Sequence, residues 1–224
     1  IVSYTIFGVG LVLLYTFSSL YHLLNLKEKA TNVLRKFDHI MIYILIASTY
    51  TPICLGVLRG PWGWSIFGVI WGLAVLGTIL TSVWLKAPRW LTTGIYLGMG
   101  WMVILAIYPM LKTFAVLNAL NLLWWLLAGG ILYTVGGIIY GLKWPHLKNK
   151  YFGFHEIFHI FILLGSACHF IFILSLLFLY KVLSSNVIPF ILYTSISFSS
   201  NKAFSSSLIF PNIRLKKPIN LLIL

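Results

Sequence analysis

Apolar stretches of about 20 residues, each bounded by basic or aromatic side chains, recur six times before position 182: at 3–24, 38–58, 63–85, 90–110, 116–141 and 155–180. A run of that length matches the hydrocarbon thickness of a bilayer, where a backbone must satisfy its own hydrogen bonds. The runs are continuous and lack period-2 polar alternation, so they meet that demand as helices and not as barrel strands. The expected fold class is all-α, a polytopic transmembrane helical bundle. Composition agrees, because only 8% of the 224 residues are charged, against about a quarter of a soluble chain. Three acids (Glu28, Asp38, Glu156) stand against 16 Lys and Arg, too few for a mixed-charge surface. The net charge of +13 is spread singly or in small groups between the apolar runs. No continuous basic stripe is available to a nucleic-acid backbone, and the expected partners are membrane lipids.

Basic residues in the short loops set an orientation, since cytoplasmic loops carry the excess of Lys and Arg. Lys27, Lys29, Arg35 and Lys36 lie between the first two runs, Lys86 and Arg89 between the third and fourth, and Lys143, Lys148 and Lys150 between the last two. Arg59, Lys112 and Lys181 are the sparse charges of the opposite side. The first run then passes from outside to inside, and the chain begins at Ile1 with no cationic segment resembling a signal peptide. Glycines at small-xxx-small spacing, such as Gly68 and Gly72, Gly94 and Gly98, predict close helix packing. Pro52 and Pro109 predict a kink or stop near the ends of the second and fourth runs. Cys54 and Cys168 lie inside apolar runs and carry no metal or redox pattern. The segment 182–224 turns Ser-rich and is expected to be a poorly structured or interfacial tail.

Ionisable groups inside membrane spans are functional candidates by default, and here they gather at one side. Ser18 and His22 share a helix face near the end of the first run, Asp38 and His39 open the second, and His155, Glu156 and His159 open the last. At a rise of about 1.5 Å per residue, His22 lies about 7 Å from Lys27 and His155 and His159 about 7 and 13 Å from Lys150, so the imidazoles share a depth. Two histidines at i and i+4 with a third from a facing helix make a three-histidine set for Zn²⁺ that leaves one tetrahedral position open. Asp38 then serves as a supporting acceptor or as a base, and Ser18 orients Asp38 or the substrate. His39 and His146 are expected at the interface, and His169 in a structural hydrogen bond. His155 to His159 also reads as H-E-x-x-H, the zinc-protease pattern with Glu156 as base. No acid follows Glu156, so such a site would take a histidine as its third ligand, with His22 the best placed; the protease stays a minor alternative to Glu156 as an interfacial residue near the positive helix N-terminus.

The S-x-x-x-H of Ser18 to His22, the acidic start Lys36-Phe37-Asp38-His39, the H-x-x-x-H of His155 to His159, and the stretches Tyr21-His22-Leu23 and Ala47-Ser48-Thr49-Tyr50-Thr51-Pro52 resemble the bacterial hemolysin III family. That family belongs with the progestin and adipoQ receptors and, more distantly, the alkaline ceramidases. Over residues 2–181 the resemblance implies a seven-helix protein of the bacterial inner membrane, with a zinc site at His22, His155 and His159 and with Asp38 and Ser18 beside it. Two departures are expected: the family's first helix is missing, and the tail is atypical. The functions implied divide between a zinc-dependent hydrolase of lipid amides or esters, a pore-forming hemolysin that causes cytolysis, and a receptor or regulator with structural zinc. Uniformly apolar spans favour a resident membrane protein with a site over a toxin inserted from solution.

Overall fold

A computed structural model describes the backbone at residues 1–58, 60–84, 87–145 and 153–200, with side chains described as far as 185. It divides into two compact units, Ile1–Leu179 and Tyr180–Leu224, and the histidine-bearing helix ends belong to the first. Among the described residues the secondary structure is entirely helical: α1 (Val2–Leu23), α2 (Glu28–Pro52), α3 (Gly60–Val83), α4 (Arg89–Trp101), α5 (Ile107–Val116), α6 (Leu123–Leu142) and α7 (Phe154–Ser200). Short 3₁₀ segments join α4 to α5 and precede α6, and a π-helical stretch, Ile53–Leu58, extends α2. Counted with these extensions, six helical spans among the described residues are long and apolar enough to cross a membrane. The protein is a multi-pass integral membrane protein.

Two spans depart from the boundaries that hydropathy sets. The helix α2 begins at Glu28, ten residues before the apolar run. Hydropathy marks where lipid begins, whereas Glu, Lys, Ala and Arg sustain a helix outside it. The extension is anchored: Lys36 Nζ donates to the Ser82 carbonyl in the last turn of α3 at 2.8 Å, and Phe37 stacks on Phe17 of α1 at 4.9 Å. The fourth span is broken, with Met102–Ala106 tightening to 3₁₀ between α4 and α5. Pro109 has no N–H for the carbonyl one turn back, and a backbone group freed in lipid needs another partner. That carbonyl belongs to Leu105; the start of the 3₁₀ stretch is braced separately by Tyr50 of α2, whose hydroxyl donates to the Gly100 carbonyl at 2.7 Å and accepts the Val103 N–H at 2.8 Å. Pro52 likewise ends the regular part of α2, and the π stretch follows it.

The core lies where α2 is surrounded by α1, α3 and α4, with Tyr43, Ser48, Thr51 and Cys54 fully enclosed. Close approach at glycine is real but selective. A Cβ at Gly77 would enter the Tyr43 ring, and one at Gly165 would come within 2.7 Å of Tyr133. Gly68, Gly72, Gly94 and Gly98 have open space where a Cβ would stand, so their spacing serves no packing within the described residues. Of the expected tail, the helical backbone continues through 200, and 201–224 lie outside the described residues, as do Arg59, Lys86, His146, Lys148 and Lys150.

Candidate metal centre

Three short-range features bring the end of α1 to the start of α7. The helix α1 stops at Leu23, where Leu24 turns extended while its N–H still reaches the Leu20 carbonyl, leaving His22 on the final turn. The helix α7 starts through a one-sided cap in which Glu156, three residues on, accepts the Gly153 N–H at 2.8 Å, the carboxylate's half of a capping box. His155 and His159 then project from its first turn and a half, one above the other.

Their rings meet that of His22. His155 Nε2 lies 3.2 Å from His159 Nε2 and 3.5 Å from His22 Nε2, and one ligand nitrogen from each of the three falls within 4.8 Å of the others. Ring centres stand 5.1 Å apart for both pairs involving His22 and 4.6 Å for His155 with His159. Zn–N bonds of about 2.0–2.1 Å in tetrahedral geometry place two ligand nitrogens about 3.3 Å apart. The spacing therefore fits a metal ion, and the three histidines lie close enough to bind one. His22 is exposed and the other two are half-buried, so the cluster opens toward one end of the bundle.

Asp38 is mostly buried, with 14% of its side chain exposed, and its Oδ2 lies 3.9 Å from His39 Nδ1. Its carboxylate exerts a Coulombic pull on both His155 and His159. The Phe17–Phe37 stack immediately precedes Ser18 on α1 and Asp38 on α2 and so fixes where those two turns meet. Ser18 is half-buried, one turn before His22. The remaining histidines stay out of the cluster. His39 donates from Nδ1 to the Arg35 carbonyl at 2.8 Å. His169 is 7% exposed and stacks on Tyr133 at 5.0 Å, and in place of the expected hydrogen bond its Nδ1 is buried with no partner among the described residues. Glu156 is exposed and engaged in its cap.

Two residues beside the cluster carry signals weaker than a histidine's. The Tyr140 ring lies 6.1 Å from that of His155, and the Arg89 guanidinium lies 5.2 Å above Tyr140. In the sequence Arg89 counts only as a loop charge, although a cation between Pro88 and Trp90 at the first position of a helix was the available cue.

The family model described as "Haemolysin-III related" matches residues 1–170. The chain belongs to the haemolysin III family. "Hemolysin-3" of Bacillus cereus is 40% identical over 170 residues, 76% of this chain and 73% of that protein. "Hemolysin-3 homolog" of Bacillus subtilis is 41% identical, covering 76% of this chain and 75% of the relative. Human "Monocyte to macrophage differentiation factor" is 25% identical, covering 74% and 66% respectively, so the haemolysin III pattern extends to an animal protein. No solved structure matches. The matched residues include His22, Asp38, His155 and His159, whereas the region beyond 170 lies outside the family match.

Proposed function

We propose that this haemolysin III protein is a zinc-dependent hydrolase acting on an amide or ester bond of a membrane lipid. The observation that carries this reading is the convergence of three histidine nitrogens from two helices at the spacing of tetrahedral ligands. Zinc held by His22, His155 and His159 would supply Lewis acidity and an open coordination position for a reacting group. Asp38 is the proton acceptor: it is the acid mostly enclosed beside the cluster, and enclosure preserves the strength of its interactions there. Ser18, on the face that carries His22, orients the carboxylate or the substrate. Tyr140 and Phe158 wall the half-buried side of His155, which excludes water from that flank. The positive-inside distribution of loop charge puts the centre on the cytoplasmic face of a bacterial plasma membrane.

The purified chain in neutral detergent, offered a panel of lipid amides and esters, should release fatty acid in a chelator-sensitive manner. Absence of turnover from zinc-loaded protein across the panel would leave a structural zinc site and a receptor or regulator. A second reading, pore formation, is favoured by the name of the Bacillus cereus relative, "Hemolysin-3". It predicts leakage of dye-loaded vesicles that persists in His155→Ala, whereas the hydrolase reading predicts that any leakage follows turnover and is lost with it.

A further inference from the structure

The positive charge around the three histidines exceeds what the chain neutralises. Arg89 projects from the first residue of α4 between two rings, its guanidinium carbon 5.2 Å from the centre of Tyr140 and 5.9 Å from that of Phe154. One terminal nitrogen, Nη1, is buried and has no hydrogen-bond partner among the described residues. None of the three acids pairs with it. Asp38 lies nearest His39, 3.9 Å from an Nδ1 that already donates to the Arg35 carbonyl, Glu156 is taken up by its cap, and Glu28 stands exposed at the start of α2. Arg35, half-buried on α2, accepts the His39 Nδ1–H on its carbonyl at 2.8 Å and, like Arg89, lies within electrostatic range of His39 and Tyr140.

Aromatic faces satisfy the plane of a guanidinium but not its in-plane N–H donors. Those donors form a fork that matches the oxygens of a phosphate or carboxylate. A half-buried cation with an idle donor is a poor structural device, because desolvation without an anionic partner costs more than the ring contacts return. A dication on three neutral imidazoles would raise the local excess of positive charge further.

We propose that Arg89, supported by Arg35, holds a phosphate group beside the three-histidine centre, so that the lipid taken by this site carries an anionic phosphate headgroup. The start of α4 is at the membrane interface, the level at which a phospholipid presents its phosphate. This deepens the hydrolase reading by naming the substrate class, and it rests on that reading only for the reaction. Binding itself depends on the guanidinium and is measured on chelator-treated protein.

The full chain in neutral detergent is titrated, with thermal stability as readout, against dihexanoyl phosphatidic acid, inorganic phosphate, dihexanoylglycerol and octanoate. Phosphatidic acid should stabilise the wild type, less so at high salt. Its apparent Kd should rise about ten- to hundred-fold in Arg89→Gln, the loss expected of a charge-assisted hydrogen bond, with an intermediate value in Arg89→Lys. Arg35→Gln, which leaves the helix start intact, should weaken binding by a smaller factor and keeps the test open if Arg89→Gln does not fold. Equal, Arg89-dependent stabilisation by inorganic phosphate would assign the same site to free phosphate as the source. Failure of phosphatidic acid to bind, binding unchanged in Arg89→Gln, or equal binding of dihexanoylglycerol or octanoate would overturn the proposal. Arg89-dependent binding by a chain that takes up no zinc when the chelator is removed and zinc is supplied would refute the hydrolase reading alone.

Discussion

Two carboxylates stand near the histidines, and the structure gives them opposite consequences on removal. Glu156 is exposed, and its Oε2 is spent on the Gly153 N–H at the mouth of α7. In Glu156→Gln the amide oxygen still accepts that bond, and the loss is the charge at the positive end of a helix, about 0.3–1 kcal/mol at a surface. That is a few-fold change in local fraying and no more than a few-fold change in turnover. Asp38 is mostly enclosed and acts on His155 and His159. Asp38→Asn keeps the shape but cannot take a proton, and loss of a general base typically costs about 10²–10⁴-fold in rate. Metal affinity should fall less, by about 10–100-fold, as for other residues that support ligands without being ligands. The assay is fatty-acid release from the lipid-amide panel, run beside metal content on the same preparations. If Glu156→Gln loses turnover while retaining zinc and Asp38→Asn stays active, the roles are reversed and the H-E-x-x-H reading is the mechanism.

Other perturbations test the scaffold. Tyr50→Phe strips the partner from the Val103 N–H and the Gly100 carbonyl, and should cost about 1–3 kcal/mol for each group left unsatisfied, read as a lower melting temperature in detergent. Gly77→Leu drives a side chain into the Tyr43 ring at the centre of the core, and should lower stability sharply, whereas Gly72→Leu, with open space, should not. A reporter fused after Leu26 should face the cytoplasm and one after Asn118 the outside; the opposite pattern at both would move the metal centre to the other face.

The cluster of three histidines was legible because two independent rules agree on it. Histidines four apart share a helix face, and counting from the basic loop ends places His22, His155 and His159 at one depth. The fold was legible as a set of spans but not in its details. The extension of α2 carries no hydropathy signal, since a lysine-rich helix in water and a loop look alike by that measure. Pro109 announced a disturbance, yet nothing local shows that Tyr50 of α2 braces the same span at Gly100 and Val103. Glycine spacing predicted contact at Gly68, Gly72, Gly94 and Gly98, where open space stands instead, while the close approach falls at Gly77 against Tyr43. Arg89 was hidden because loop charges are counted for orientation, and its tie to Tyr140 and Phe154 is visible only once α4, α6 and α7 are assembled.

The central claim is that three imidazoles from α1 and α7 hold one zinc ion, and metal analysis of the purified chain tests it most directly. The account predicts close to one zinc per chain in the wild type and in His39→Ala and His169→Ala, with occupancy lost in His22→Ala, His155→Ala and His159→Ala. A wild type without stoichiometric metal, or a His22→Ala variant that keeps all of it, contradicts the three-histidine centre.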